Sequence, residues 1–130
     1  MLVLPTLSSN GITLKPLTLS HATDLAEACQ DGELWKINET SVPEPDKVID
    51  YINTAASMAD RQAFVVIDES TGKAIGSTSF HDILHFAKRL EIGYTWYAKS
   101  YWRTHVNTTC KLMLLTYIFE VLEYQTVGWR

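Results

Sequence analysis

Between Lys88 and Leu122 the chain reads KRLEIGYTWYAKSYWRTHVNTTCKLMLLTYIFEVL, a sequence suited to holding an anion. Alternation up to Tyr97 predicts a strand, the polar run Ala98 to Thr108 a crossover, and the apolar remainder a buried helix. No proline follows Pro45, so every backbone N–H in the crossover is an available donor. A helix leaves about four N–H groups unpaired at its start, and its dipole favours negative charge there. Arg103 adds a guanidinium able to meet a phosphate in bidentate fashion. The same run also fits an ordinary strand-to-helix connection capped by Asn107 or Thr108. A second constellation, His81-Asp82-Ile83-Leu84-His85, has the spacing of the zinc-binding H-E-x-x-H helix with Asp replacing Glu. His81 follows a strand pattern and His85 falls in a turn region, so no helical face joins them. A surface loop is the expectation here, and no metal is predicted.

The elements that must position these residues can be read from the pattern of the chain. Gly11 to Leu17 alternates as a first strand. Ser20 is a candidate cap for a helix to about Gln30, with Ala22, Leu25, Ala26 and Cys29 on one face, and His21 as a solvated first-turn residue. Pro45 suits the first turn of a second helix, whose stripe is Val48, Tyr51, Ile52, Ala55 and Ala59. Ala63 to Ile67 is a strand covered on both faces, Asp68 to Lys73 a hairpin turn, and Ala74 to Ile83 the returning strand. Lys88 to Tyr97 alternates strictly, with Leu90, Ile92, Tyr94 and Trp96 opposite Arg89, Glu91, Gly93, Thr95 and Tyr97. Glu123 to Arg130 reads as one more strand. The order predicts a mixed α/β (α+β) sheet flanked by helices, neither doubly wound nor a bundle.

A length of 130 residues makes one domain, with a core large enough to need neither disulfide nor metal. The net charge of -4 argues against nucleic acid as a partner. It is compatible with cationic or amine substrates. Cys29 and Cys110 share no CxxC spacing, so buried reduced thiols and a cytoplasmic setting are expected. Pro5 interrupts the first apolar run and no basic residue precedes it, so no signal peptide is expected. No apolar run is long enough to span a bilayer.

The crossover resembles the coenzyme-binding motif of the GNAT superfamily of acyl-CoA N-acyltransferases, particularly its ribosomal-protein N-acetyltransferase-like branch. In that family a strand similar to LEIGYTWY precedes a loop of pattern Q/R-x-x-G-x-G/A. Here the loop positions are Trp102, Arg103, Thr104, His105, Val106 and Asn107, so both glycines are replaced. His and Asn are among the side chains that best tolerate positive φ, which would let the loop keep its shape. The opening ITLKPLTLSHATDL, the hairpin FVVIDESTGKAIGSTSF and the helix NTTCKLMLLTYIFEVL are similar to the family in style and order. The resemblance spans essentially residues 1–130, as a single GNAT-like domain with a mixed, mainly antiparallel sheet that lacks the family's last strands and helix.

The resemblance implies acetyl transfer from acetyl-CoA to a primary amine, on a protein N-terminus or a small molecule. The pyrophosphate would meet Arg103, Thr104, His105, Val106, Asn107 and Thr108. The pantetheine arm would pair with main-chain groups of Thr95, Trp96 and Tyr97, beside a bulge expected at Gly93. A lysine-like ammonium has a pKa of about 10.4 and an α-amine about 7.7–8.0, so deprotonation needs a base. Glu91 is the candidate, although a solvent-facing carboxylate paired with Arg89 or Lys88 fits the same residue. Trp35, His81 and Asp82 border the implied acceptor site. The family's usual proton donor to the thiolate lies beyond the next strand, so the chain is expected to be C-terminally truncated. Tyr117 and Tyr124 do not occupy the donor's position. Val127 and Trp129 then form an unpaired apolar edge, which suits a homodimer. The alternatives are an incomplete remnant that binds coenzyme A weakly, or a dimerising interaction module.

Overall fold

The computed structural model describes residues 4–36 and 42–129. Arg130, which closes the last predicted strand, lies outside them. Six strands form one sheet in chain order: β1 (Leu7–Ser9), β2 (Ile12–Pro16), β3 (Gln62–Asp68), β4 (Lys73–Leu84), β5 (Arg89–Tyr97) and β6 (Thr126–Trp129). All neighbours are antiparallel except β5 and β6, which run parallel. A parallel pair needs a long crossover, and α3 (Val106–Thr116) supplies it. The helices α1 (Ala22–Gln30) and α2 (Val48–Ser57) fill the connection between β2 and β3.

Each face of the sheet has its own core. Phe64, Phe80, Leu90, Ile92 and Tyr97 pack with Val106, Cys110, Met113 and Leu114 of α3. Leu25, Cys29, Val48 and Ile52 of the two early helices pack with Val65, Ala74 and Trp96. Val65 and Val66 are both fully buried, as a strand covered on both sides requires. The buried faces of the early helices are Leu25, Ala28 and Cys29, then Val48, Ile52 and Ala55; Ala26 is only half-buried and Ala59 lies beyond α2.

Several boundaries depart from the sequence reading. A 3-10 turn, Leu19–His21, precedes α1, so Ser20 is not its cap; instead the Thr18 N–H donates to His21 Nδ1 at 3.0 Å. The short strand β1 was not anticipated. Its turn to β2 is Asn10–Gly11 with φ of 49° and 78°, the left-handed pair that two-residue hairpins need. The β3–β4 hairpin closes as expected, on Gly72 N–H to the Asp68 carbonyl at 2.8 Å.

Strict alternation in β5 does not hold. Ser77 pairs with Trp96 and Ser79 with Gly93, so three steps on β5 face two on β4. This bulge reverses the facing of the strand: Ile92 and Tyr97 join the α3 core, while Trp96 joins the α1–α2 core. The left-handed residue is Tyr94, with φ of 51°, and not the neighbouring Gly93.

Candidate active site

The crossover from β5 to α3 is shaped by partners rather than by glycine. The Ser100 N–H donates to Asp31 Oδ2 at 2.9 Å, and the Tyr101 hydroxyl to Asp68 Oδ2 at 2.6 Å. That last bond pushes the Tyr101 phenol up to about 12 and holds the Asp68 carboxyl below its usual range. Trp102 Nε1 donates to the Tyr97 carbonyl at 2.9 Å, and His105 Nε2 to the Asn10 carbonyl at 3.0 Å. The residue at positive φ in this loop is Arg103, at 60°, whereas His105 has φ of -69° and Asn107 is already helical. Helix α3 therefore begins at Val106, ahead of both caps proposed from sequence.

The open end of α3 keeps donors. The Val106 N–H turns to Thr104 Oγ1 at 3.3 Å, and the Thr109 N–H to the His105 carbonyl at 2.9 Å. No described residue accepts from Asn107 or Thr108 N–H. The side chains that replace the motif glycines are both engaged elsewhere: the imidazole at Asn10, and the Asn107 Oδ1 accepting from Tyr97 OH at 2.9 Å. Arg103, Thr104 and Thr108 are exposed, while Val106 is core and can offer only its main chain. Burial, first, and the neighbouring Cys110 raise the Tyr97 phenol far above its usual range. Burial also pushes the Cys29 and Cys110 thiols up to about 11, so neither is poised as a nucleophile.

The bulge lies directly upstream. Among the described residues β6 accompanies β5 only over Arg89–Ile92, leaving Gly93 to Tyr97 with β4 alone beside them. A cavity of about 180 Å³ opens there, lined by Leu34, Val42, Thr95, Trp96, Tyr97 and Trp102. The side chains of residues 95–97 are tied into the fold: Thr95 shares a 2.8 Å hydrogen bond with Thr78, and Trp96 Nε1 donates to Tyr51 OH at 3.4 Å. The Tyr97 carbonyl already accepts one hydrogen bond, from Trp102, and keeps a second lone pair. Trp35 is half-buried on the 3-10 turn Leu34–Lys36, and it is Leu34 that lines the cavity.

On the α1–α2 face, Glu91 stands opposite His81 in the β4–β5 register. His81 is only 3% exposed and belongs to β4, as the predicted returning strand has it, so the run from His81 to His85 is not a surface loop throughout. Its Nδ1 lies 3.4 Å from Asp82 Oδ2. His85 points elsewhere, sharing a 2.6 Å hydrogen bond with Tyr124 OH. A Cβ on Gly128 would lie 2.9 Å from Glu91 Cγ, so glycine leaves room for the carboxylate stem over β6. Arg61, 5% exposed, donates to Ser79 Oγ at 3.1 Å and Tyr51 OH at 3.2 Å and lies 3.8 Å over the Tyr94 ring.

Residues 12–130 match the Acetyltransferase (GNAT) domain family. The chain belongs to the GNAT acetyltransferase family. The fold agrees. A GCN5-related N-acetyltransferase from Brucella melitensis superposes with TM-score 0.80 at 22% identity, over 95% of this chain and 58% of that one. A chain from T. thermophilus assigned as an acetyltransferase gives 0.84 at 21% identity, over 99% and 68%. The ribosomal-protein-S5-alanine acetyltransferase of Vibrio fischeri gives 0.71 at 14% identity, over 95% and 72%. The chain thus spans 58% of the Brucella protein's length. A search of curated protein sequences found no match.

For a GNAT domain, the sequence reading placed the crossover well and missed what supports it. Arg61, which lies over the bulge residue Tyr94, and Tyr51, which holds Arg61, carry no local signal because these three residues are far apart in sequence and meet only in the fold. Leu34 and Val42 were overlooked beside the more conspicuous Trp35. Gly128 could have been noticed, since glycine inside a predicted strand often marks a close approach.

Proposed function

We propose that this GNAT domain transfers acetyl from acetyl-CoA to a primary amine. The observation that carries this reading is the left-handed bulge at Tyr94, which opens β5 ahead of a helix N-terminus where two N–H groups have no acceptor among the described residues. The donors of Asn107 and Thr108 and the exposed Arg103 suit a pyrophosphate, because both residues that could plug the cradle are turned aside. The main chain at Thr95, which falls in the bulge and has no register partner on β4, and its neighbours Trp96 and Tyr97 line the 180 Å³ cavity and suit the pantetheine arm.

The acceptor enters on the α1–α2 face, where Glu91 takes the ammonium proton directly or through water, so that the amine lone pair can attack the thioester carbonyl. Backbone N–H groups at the bulge stabilise the charge that then develops on the carbonyl oxygen. Asp82 and His81 border the same space and orient the amine. An α-amine, already about a tenth neutral at pH 7, asks least of one half-buried carboxylate. We therefore favour a peptide N-terminus, as in the ribosomal-protein branch, over a lysine or polyamine. The absence of any described helix long and apolar enough to cross a membrane is compatible with work in the cytoplasm. The β6 edge, with Trp129 49% exposed, suits pairing with a second copy.

Calorimetric titration with acetyl-CoA, followed by thiol release across peptide and small-molecule amines, tests the reading. Micromolar binding with amine-dependent thiol release is expected. No heat on titration would refute the cradle, and binding without release for any amine would refute the transferase.

A further inference from the structure

His81 is an anomaly within the α1–α2 face. It is a buried imidazole whose Nε2 has no hydrogen-bond partner among the described residues, while its Nδ1 lies towards Asp82. Such an atom costs stability unless something else uses it. Beside it, the β4–β5 register is irregular between His81 and Leu84, and Asp82 has φ of 47°. Consecutive strand residues normally face opposite ways. Here the irregularity brings both to one place, with Nδ1 and Oδ2 3.4 Å apart, and the opposed Glu91 completes the group. One ligand atom from each of His81, Asp82 and Glu91 lies within 4.8 Å of the others. One imidazole and two carboxylates form a donor set that zinc-class ions accept, with bonds of about 2.0–2.2 Å and a position left for water. Binding requires the two half-buried carboxylates to turn inward from that 4.8 Å spread.

We infer that His81, Asp82 and Glu91 form a binding site for a divalent transition-metal ion of the zinc class. Occupancy withdraws Glu91 from proton transfer, so the metal acts as a reversible inhibitor. That second clause rests on the function proposed above, whereas the binding itself does not. The motif that suggested zinc from sequence paired His81 with His85; the fold instead pairs His81 with a residue of the next strand.

The test is titration of the chain with Zn²⁺, without acetyl-CoA, by calorimetry, with Co²⁺ visible absorption as a second probe of a nitrogen- and oxygen-ligated centre. One ion per chain at micromolar affinity is expected. Asp82→Asn and Glu91→Gln, both at half-exposed positions, should each weaken it by about tenfold or more. His81→Gln should abolish it, and His21→Gln and His85→Gln should leave it unchanged. No saturable binding below millimolar Zn²⁺, or binding indifferent to all three ligand substitutions, overturns the site. In the thiol-release assay Zn²⁺ should inhibit and a chelator should restore activity. Binding with undiminished release would overturn the inhibitory role and keep the site. A chain that binds Zn²⁺ yet never transfers acetyl would refute the proposed function alone.

Discussion

Asn107 joins two roles that a pair of substitutions can separate. Its Oδ1 accepts from the Tyr97 hydroxyl at 2.9 Å, and Tyr97 is 8% exposed. Asn107→Ala leaves a buried phenol without that acceptor, a loss of about 1–2 kcal/mol. The Cys110 thiol beside the same phenol and the better helix propensity of Ala keep the loss near the lower end. At about 2.1 cal/mol/K of unfolding entropy per residue, each kcal/mol is worth about 4 °C in this chain, so the melting point should fall by about 4–8 °C. Asn107→Asp keeps the acceptor and adds a negative charge in the first turn of α3, worth about 0.3–1 kcal/mol in its favour. Its melting point should hold or rise. That same charge at roughly 6 Å from a dianionic pyrophosphate costs about 1–2 kcal/mol in water-like dielectric, which weakens acetyl-CoA by about five- to thirtyfold. Differential scanning fluorimetry and calorimetric titration read the two effects separately. An Asn107→Asp chain that is stable and binds as tightly as the parent would refute the placement of pyrophosphate at this helix end.

Three further predictions use other parts of the site. Arg103→Glu should weaken acetyl-CoA by about tenfold or more without moving the melting point, because its side chain is exposed; an unchanged dissociation constant removes Arg103 from the cradle. Glu91→Gln should lower acetyl transfer by about 10²–10⁴-fold while leaving acetyl-CoA affinity intact, and Gly128→Ala, by displacing the Glu91 stem, should lower it less. Asp68 has a depressed pKa through Tyr101, so its stabilising contribution is present above the ordinary carboxylate value and is lost as pH falls through the lower folded value. Tyr101, raised to about 12, contributes below pH of about 10 and loses that contribution as pH rises through about 12; Tyr101→Phe should flatten both limbs of a stability–pH curve.

What the sequence disclosed follows from which interactions are local. The hairpin at Asp68 to Lys73, the apolar strand Ala63 to Ile67 and the buried face of α3 announce themselves within a few residues. The Asn10–Gly11 turn was equally legible, and its strand β1 was overlooked only because three residues make a weak pattern. The bulge in β5 was anticipated in kind but assigned to Gly93. Local propensity puts positive φ on glycine, and tertiary contacts overrode it by holding Tyr94 instead. The alternation of Leu90, Ile92, Tyr94 and Trp96 looked unbroken because an aromatic at every second position fits either facing. The partners of the crossover, Asp31, Asp68 and Asn10, are far away in sequence, so no motif could reveal how a loop without glycine keeps its shape.

The bulge also shows why a strained tyrosine is tolerated where glycine is one residue away. A left-handed non-glycine residue costs about 1–2 kcal/mol. Arg61 lies 3.8 Å over the Tyr94 ring, and His81 meets that ring edge-on at 5.1 Å. A desolvated cation–π contact returns about 2 kcal/mol, and an aromatic edge contact adds about 0.5–1.5. The sums are comparable, so the bulge stands without net penalty provided Arg61 stays in place. Arg61 has its own reason to stay: its Nε donates to Ser79, one terminal nitrogen to Tyr51 and the other to the Met58 sulfur, and the Tyr94 face is a more favourable environment for its charge than bare apolar core. The clamp therefore runs from α2 through Arg61 to β5. It holds the opening in the strand and, through the edge contact of Tyr94 with His81, adjoins the residue that stands opposite Glu91, so the geometry expected to receive the thioester and the geometry expected to receive the amine are connected through Tyr94.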